Sequence, residues 1–200
     1  MANSKRYIRL VSRINSLETN LLPIVKISGN YTKKESDLIR SYVLLVHAEI
    51  ESYFEDVALQ KIEKAFDDWI IGRKKSNCLL AVMSFCADEI NWDRIQKVDK
   101  LKFDFRVNKV VRHFINKLGS NHGIKSEHLY KMLLPVGVEE SDLDNAWLST
   151  MDSFGAQRGS IAHSTISAQN QIDLVTQRNN INLNILPPIS DLDLLIKSLK

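Results

Sequence analysis

The sequence predicts an all-α protein, an up-and-down helical bundle of about five to seven helices. Three observations carry that expectation. Chain breakers are scarce, with seven Gly and four Pro in 200 residues, too few for the many turns of a sandwich or barrel. Apolar residues recur at three- and four-residue steps over long stretches. Helix-start signals of the Thr-x-x-Glu kind stand ahead of such stretches. Hydrophobic residues at 44% and charged residues at 26% exclude wholesale disorder. The length suits one hydrophobic core with a small appendage.

The elements follow in order. Ile8, Val11, Ile14, Leu17 and Leu21 share one face of a helix over residues 5–22, which ends near Pro23. The stretch from Pro23 to Tyr31, with Ser28-Gly29-Asn30, reads as a loop. Thr32 and Glu35 form a capping box for a long helix whose stripe is Ile39, Val43, Val46, Ile50, Phe54 and Val57. It runs at least to Val57 and as far as Ile71. Gly72 suits its left-handed terminus, and the triplet Arg73-Lys74-Lys75 complements the helix dipole. Residues 78–90 and 101–118 are helical by period, the second with Phe103, Val107, Val110, Phe114 and Leu118 on one face. A loop from Gly119 to Gly123 follows, then a short helix opened by Ser126 and closed by Pro135. Ser141 and Asp144 make a capping-box-like start for a helix through Trp147, Met151, Phe154 and Ile161. After Ile166 the signal weakens. Ile181 to Ile185 alternates with period two, as a short strand or extended chain, until Pro187-Pro188 breaks it. Ser190 then caps a last helix from Asp191 to Leu199. The expected organisation is one domain over residues 1–200, with an N-terminal helix and loop at 1–30 and a C-terminal appendage at 171–200.

A net charge of +3 permits a nucleic-acid partner only where charge clusters. It clusters from Asp93 to Lys131, where ten Lys or Arg face four Asp or Glu. Lys102, Arg106, Lys109, His113 and Lys117 follow helical spacing there, as an RNA-binding stripe along a phosphate backbone or as a solvated face. Pro135 to Gln157 holds five acidic residues and no basic one. No apolar h-region and no run of about 18 apolar residues occurs, so neither a secretory leader nor a membrane contact is expected. Cys78 and Cys86 lie in an apolar stretch and read as two buried thiols in a reducing, cytoplasmic setting. His122 and His128 flank a loop and are too few for a metal site. No metal and no cofactor is signalled.

Gln157-Arg158-Gly159-Ser160-Ile161-Ala162-His163-Ser164 places an Arg and a His five apart, late in the chain. This resembles the Arg-x(4–6)-His motif of the HEPN superfamily, the higher-eukaryote and prokaryote nucleotide-binding domains. The local text is similar to the RiboL-PSP branch, where a small residue such as Ala162 precedes the His. The resemblance covers residues 32–170. It implies a metal-independent endoribonuclease with Arg158 and His163 as catalytic residues, Ser160 supporting them, and RNA as substrate. It implies a homodimer in which two copies of the motif meet. It also implies a role as a toxin or anti-phage effector, with an antitoxin or defence-system partner protein. The alternative is a non-catalytic HEPN module for dimerisation or for RNA or protein binding. Gly159 favours that alternative, because HEPN ribonucleases often carry Asn or Asp there. Some HEPN toxins are silenced by modification of a Tyr two residues beyond the His. Here that position is Thr165, so this control is not expected.

Two points of geometry follow. Residues five apart on an ideal helix differ by about 140°, so Arg158 and His163 share a cleft only if the helix distorts, with Gly159-Ser160 the place for it, or if a dimer supplies the other half. Arg40, His47 and Glu51, at i, i+7 and i+11, form a polar stripe beside the apolar face of the first long helix. Polar groups there are costly unless paired. They suit a cleft near the Arg158–His163 helix in which Glu51 orients a His, or an ordinary intrahelical pair.

Overall fold

In the computed structural model, residues 2–163 and 172–199 are described, and every regular element among them is helical. The all-α expectation holds. Helix α1 (Lys5–Leu21) starts where the Ser4 side chain accepts from the Tyr7 N–H, and it buries Leu10, Ile14 and Leu17. Helix α2 (Lys33–Gly72) runs for 40 residues. Its capping box forms as predicted: Glu35 Oε2 accepts from the Thr32 N–H at 2.7 Å, and Thr32 Oγ1 accepts from the Glu35 N–H at 3.3 Å. Lys26 Nζ also donates to this carboxylate at 2.6 Å. Lys26 first, then Thr32, hold the Glu35 carboxyl down to about 2.

The far end of α2 differs from expectation. The left-handed residue is Arg73, at φ 53°, rather than Gly72. A Cβ is disfavoured there. Its side chain is anchored, however, with the guanidinium 5.2 Å from the Trp69 ring and ion-paired to Asp104.

Helices α3 (Asn77–Cys86), α4 (Lys97–Lys100), α5 (Phe103–Leu118) and α6 (Ser126–Leu133) follow. Cys78 and Cys86 are buried and free, and burial pushes the Cys78 thiol up to about 12. Helix α7 (Asn145–His163) is opened by Asp144, whose Oδ1 accepts from the Trp147 N–H at 2.7 Å. Ser141 instead sits in a preceding 3-10 turn, Glu140–Asp142. A single carboxylate satisfies the exposed N–H, so no reciprocal box is needed.

The C-terminal expectation is corrected. Helix α8 (Leu174–Asn179), a π-helical turn (Asn180–Ile185) and α9 (Leu186–Ser198) succeed one another without a break. The alternation was half of a helical pattern, because Ile181 and Ile185 are buried four apart while Leu183 is exposed. Pro187-Pro188 does not end the helix. A proline ring collides with the carbonyl four residues back and lacks an N–H. The widened turn, where the Leu186 N–H reaches the Ile181 carbonyl, relieves that crowding. Ser190 is therefore mid-helix, not a cap.

Two compact units are distinguished: Met1–Tyr53, Gly123–Ser126 and Leu143–Leu194 in the first; Phe54–His122, Glu127–Asp142 and Leu195–Lys200 in the second. The first buries Ile14, Tyr42, Val46, Ile50, Phe154, Ile181 and Ile189. Within it, the buried Asp193 carboxylate accepts from the Ser4 N–H at 2.6 Å and the Tyr53 hydroxyl at 2.9 Å. That contact fastens the start of α1 to α9. The second unit buries Phe54, Ile62, Cys78, Val82, Val110, Phe114 and Leu133. Each such side chain contributes about 2 kcal/mol on leaving water.

Candidate active site

Helix α7 is anchored over its first three turns. Trp147, Leu148, Met151, Phe154 and Gly155 are buried. Asp152 faces the N-terminus of α6, its Oδ1 accepting from the Ser126 N–H at 2.7 Å and the Ser126 hydroxyl at 2.9 Å. Gly155 admits the Lys125 side chain, whose Cγ would lie 2.8 Å from a Cβ there. Beyond it Arg158 is half-buried, and Ser160, Ala162 and His163 are exposed. Among the described residues neither Arg158 nor His163 makes an ion pair or side-chain hydrogen bond.

The helix remains α-helical through Gly159 and Ser160 to His163, so of the two alternatives the distorted helix is absent. Among the described residues nothing lies within 4 Å of where a Cβ at Gly159 would stand, so close approach of their backbone does not explain this glycine either. Arg158 and His163 thus stay about 140° apart around one axis. Ser164, Thr165 and Ile166 lie outside the described residues.

His47 on α2 is 3% exposed. Its ring lies 5.9 Å from that of Phe154, four residues before Arg158 on α7. Its Nδ1 is 3.6 Å from Glu51 Oε2. Arg40, with a side chain 14% exposed, pairs with Asp37 at 3.1 Å. So α2 and α7 meet through His47, with Glu51 one turn along, while Arg40 is engaged within its own helix.

The basic stripe divides. His113 Nε2 lies 2.8 Å and Lys117 Nζ 2.6 Å from Glu89, whose carboxyl is held below its ordinary value by Lys117 and then His113. Lys102, Arg106 and Lys109 are exposed. His128 contacts Asn121 at 3.2 Å and Glu127 at 3.5 Å, and His122 is exposed.

Sequence reading missed Asp152 and Asp193 as organising carboxylates. The second had a signal, an acidic residue on the apolar face set by Ile189, Leu192 and Ile196. Among the described residues no helix is long and apolar enough to cross a membrane.

No curated protein and no solved structure gives a significant match. The family model described as RiboL-PSP-HEPN matches residues 8–185. That span is wider than the expected 32–170 and takes in most of α1, α8 and the π-helical turn. With its all-helical fold and a match over most of its length, the chain belongs to the RiboL-PSP-HEPN family.

Proposed function

We propose that the protein is a metal-independent endoribonuclease of the cytoplasm that cleaves RNA by attack of its own 2′-hydroxyl. One observation supports the reading: Arg158 and His163, which have the spacing of the HEPN motif, stand in the last turns of α7 without ion-pair or side-chain hydrogen-bond partners among the described residues. His163 takes the 2′-hydroxyl proton, and imidazole does this near neutral pH. The 2′-oxygen bonds to phosphorus, the bond to the 5′-oxygen breaks, and that oxygen leaves as a hydroxyl on taking back the proton held by the imidazolium. Arg158 neutralises the charge gathered on the phosphoryl oxygens. The products are a 2′,3′-cyclic phosphate and a 5′-hydroxyl end. Because the two side chains diverge on one regular helix, the cleft is built from two copies of α7 in a two-fold homodimer. His47, against Phe154 and with Glu51 beside it, supports that helix, and a toxin or anti-phage effector held by a partner protein is the fitting cellular role.

The test incubates the purified protein with total RNA and tRNA, beside Arg158→Ala and His163→Ala variants. Loss of the base is expected to slow cleavage by about 10²–10⁴-fold, and loss of the Arg by about 10²–10³-fold. Cleavage by the double variant equal to that of the parent rejects the assignment. The same divergence favours a second reading, a non-catalytic HEPN module that binds RNA or a protein. RNA binding without cleavage under any condition selects it.

A further inference from the structure

The end of α2 and the start of α5, both in the second unit, join through side chains that are distant in sequence. The Trp69 and Phe103 rings meet edge-on at 5.5 Å, and Arg73 ion-pairs with Asp104. This junction links the triplet Arg73-Lys74-Lys75 to Lys102, Arg106 and Lys109. Six cations there face three carboxylates, Asp68, Asp99 and Asp104. Lys75, Arg106 and Lys109 have no carboxylate partner among the described residues. Phe103 remains 52% exposed at the centre, with the Arg106 guanidinium 5.6 Å from its ring centroid. An exposed aromatic ring beside an exposed guanidinium, amid an excess of positive charge, matches the needs of an unpaired nucleobase and its phosphates.

We infer that this junction binds single-stranded RNA, with a base stacked on Phe103 and the backbone held by Arg106, Lys109 and Lys75. The inference rests on the proposed RNA substrate and specifies it as an unpaired strand, because a base inside a duplex offers no free face for stacking. Lys117, occupied by Glu89, takes no part.

The test is fluorescence anisotropy with a labelled 2′-O-methyl oligoribonucleotide about twelve nucleotides long, alone or annealed to its complement. The methyl group blocks cleavage, so binding is read whether or not the protein cuts RNA. The single strand should bind more tightly than the duplex. Phe103→Ala should weaken single-strand binding by about tenfold. Arg106→Glu should weaken it and flatten its salt dependence. Phe103→Leu keeps an apolar contact on Trp69 and should weaken binding with unchanged circular dichroism, which separates lost stacking from lost folding. Equal affinity of parent and both Phe103 variants, or a duplex held as tightly as the single strand, overturns the inference. A protein that cuts RNA while ignoring Phe103 keeps the endoribonuclease reading and loses this site. One that binds through Phe103 yet cuts nothing keeps the site and loses the enzyme.

Discussion

Gly159 is the residue whose meaning changed most. It sits inside a regular helix, and no described residue lies within 4 Å of where a side chain would go, so packing against the described residues does not offset its cost to α7. Gly159→Ala is expected to stabilise the protein by about 0.5–1 kcal/mol, seen as a raised melting temperature, with RNA cleavage retained. Loss of cleavage by a folded, stabilised variant would show that this space is occupied by substrate. Asp193 is the opposite case. It is 1% exposed and accepts from Ser4 and Tyr53, and burial, then the Asp193 charge, push the Tyr53 hydroxyl above its ordinary range. Asp193→Ala leaves those donors without an acceptor and should cost about 3 kcal/mol, measured by denaturant unfolding. Amide exchange should show α1 released first.

At the scale of elements, the start of α2 carries a definite pH dependence. The Glu35 carboxyl falls from its ordinary 4.5 to about 2. A depressed carboxylate contributes its stability in full above the unfolded value, and that contribution disappears as pH drops from about 4.5 through about 2. Amide exchange in the first turn of α2 should therefore quicken across that window, and Lys26→Met should move the Glu35 titration upward. Exchange that is flat across the window contradicts this account. The same helix shows what was legible in sequence. Thr32, Glu35 and the stripe from Ile39 to Val57 specify it locally, so its start and course were readable. The region after Leu174 was not, because Ile181, Leu183 and Ile185 fit two periods at once, and a π turn arises from how Pro187 is accommodated. The candidate site was legible as residue types at Arg158 and His163. The straightness of α7 beneath them was not, since Gly159 signals a kink in sequence whether or not one forms.

For the whole molecule, the regular α7 makes a demand on assembly. If one copy cannot bring Arg158 and His163 together, a mixture of Arg158→Ala and His163→Ala proteins should recover cleavage that neither shows alone. Statistical exchange of subunits restores one intact composite cleft per mixed dimer. No recovery after confirmed subunit exchange would place each site within a single copy. Family membership, by contrast, is carried by most of the chain rather than by these two residues, since the match extends over residues 8–185. The π turn inside that span has a bearing of its own. A helix advances by about 100° per residue, so the extra residue in a widened turn is an angular offset written into the chain. It brings Leu174 ahead of the turn, Ile181 within it, and Ile189 and Asp193 beyond it, all buried, closer to one line than an unbroken α-helical phase would. The double proline thus works as a phase shifter, and the fastening of α9 to Ser4 depends on keeping that count.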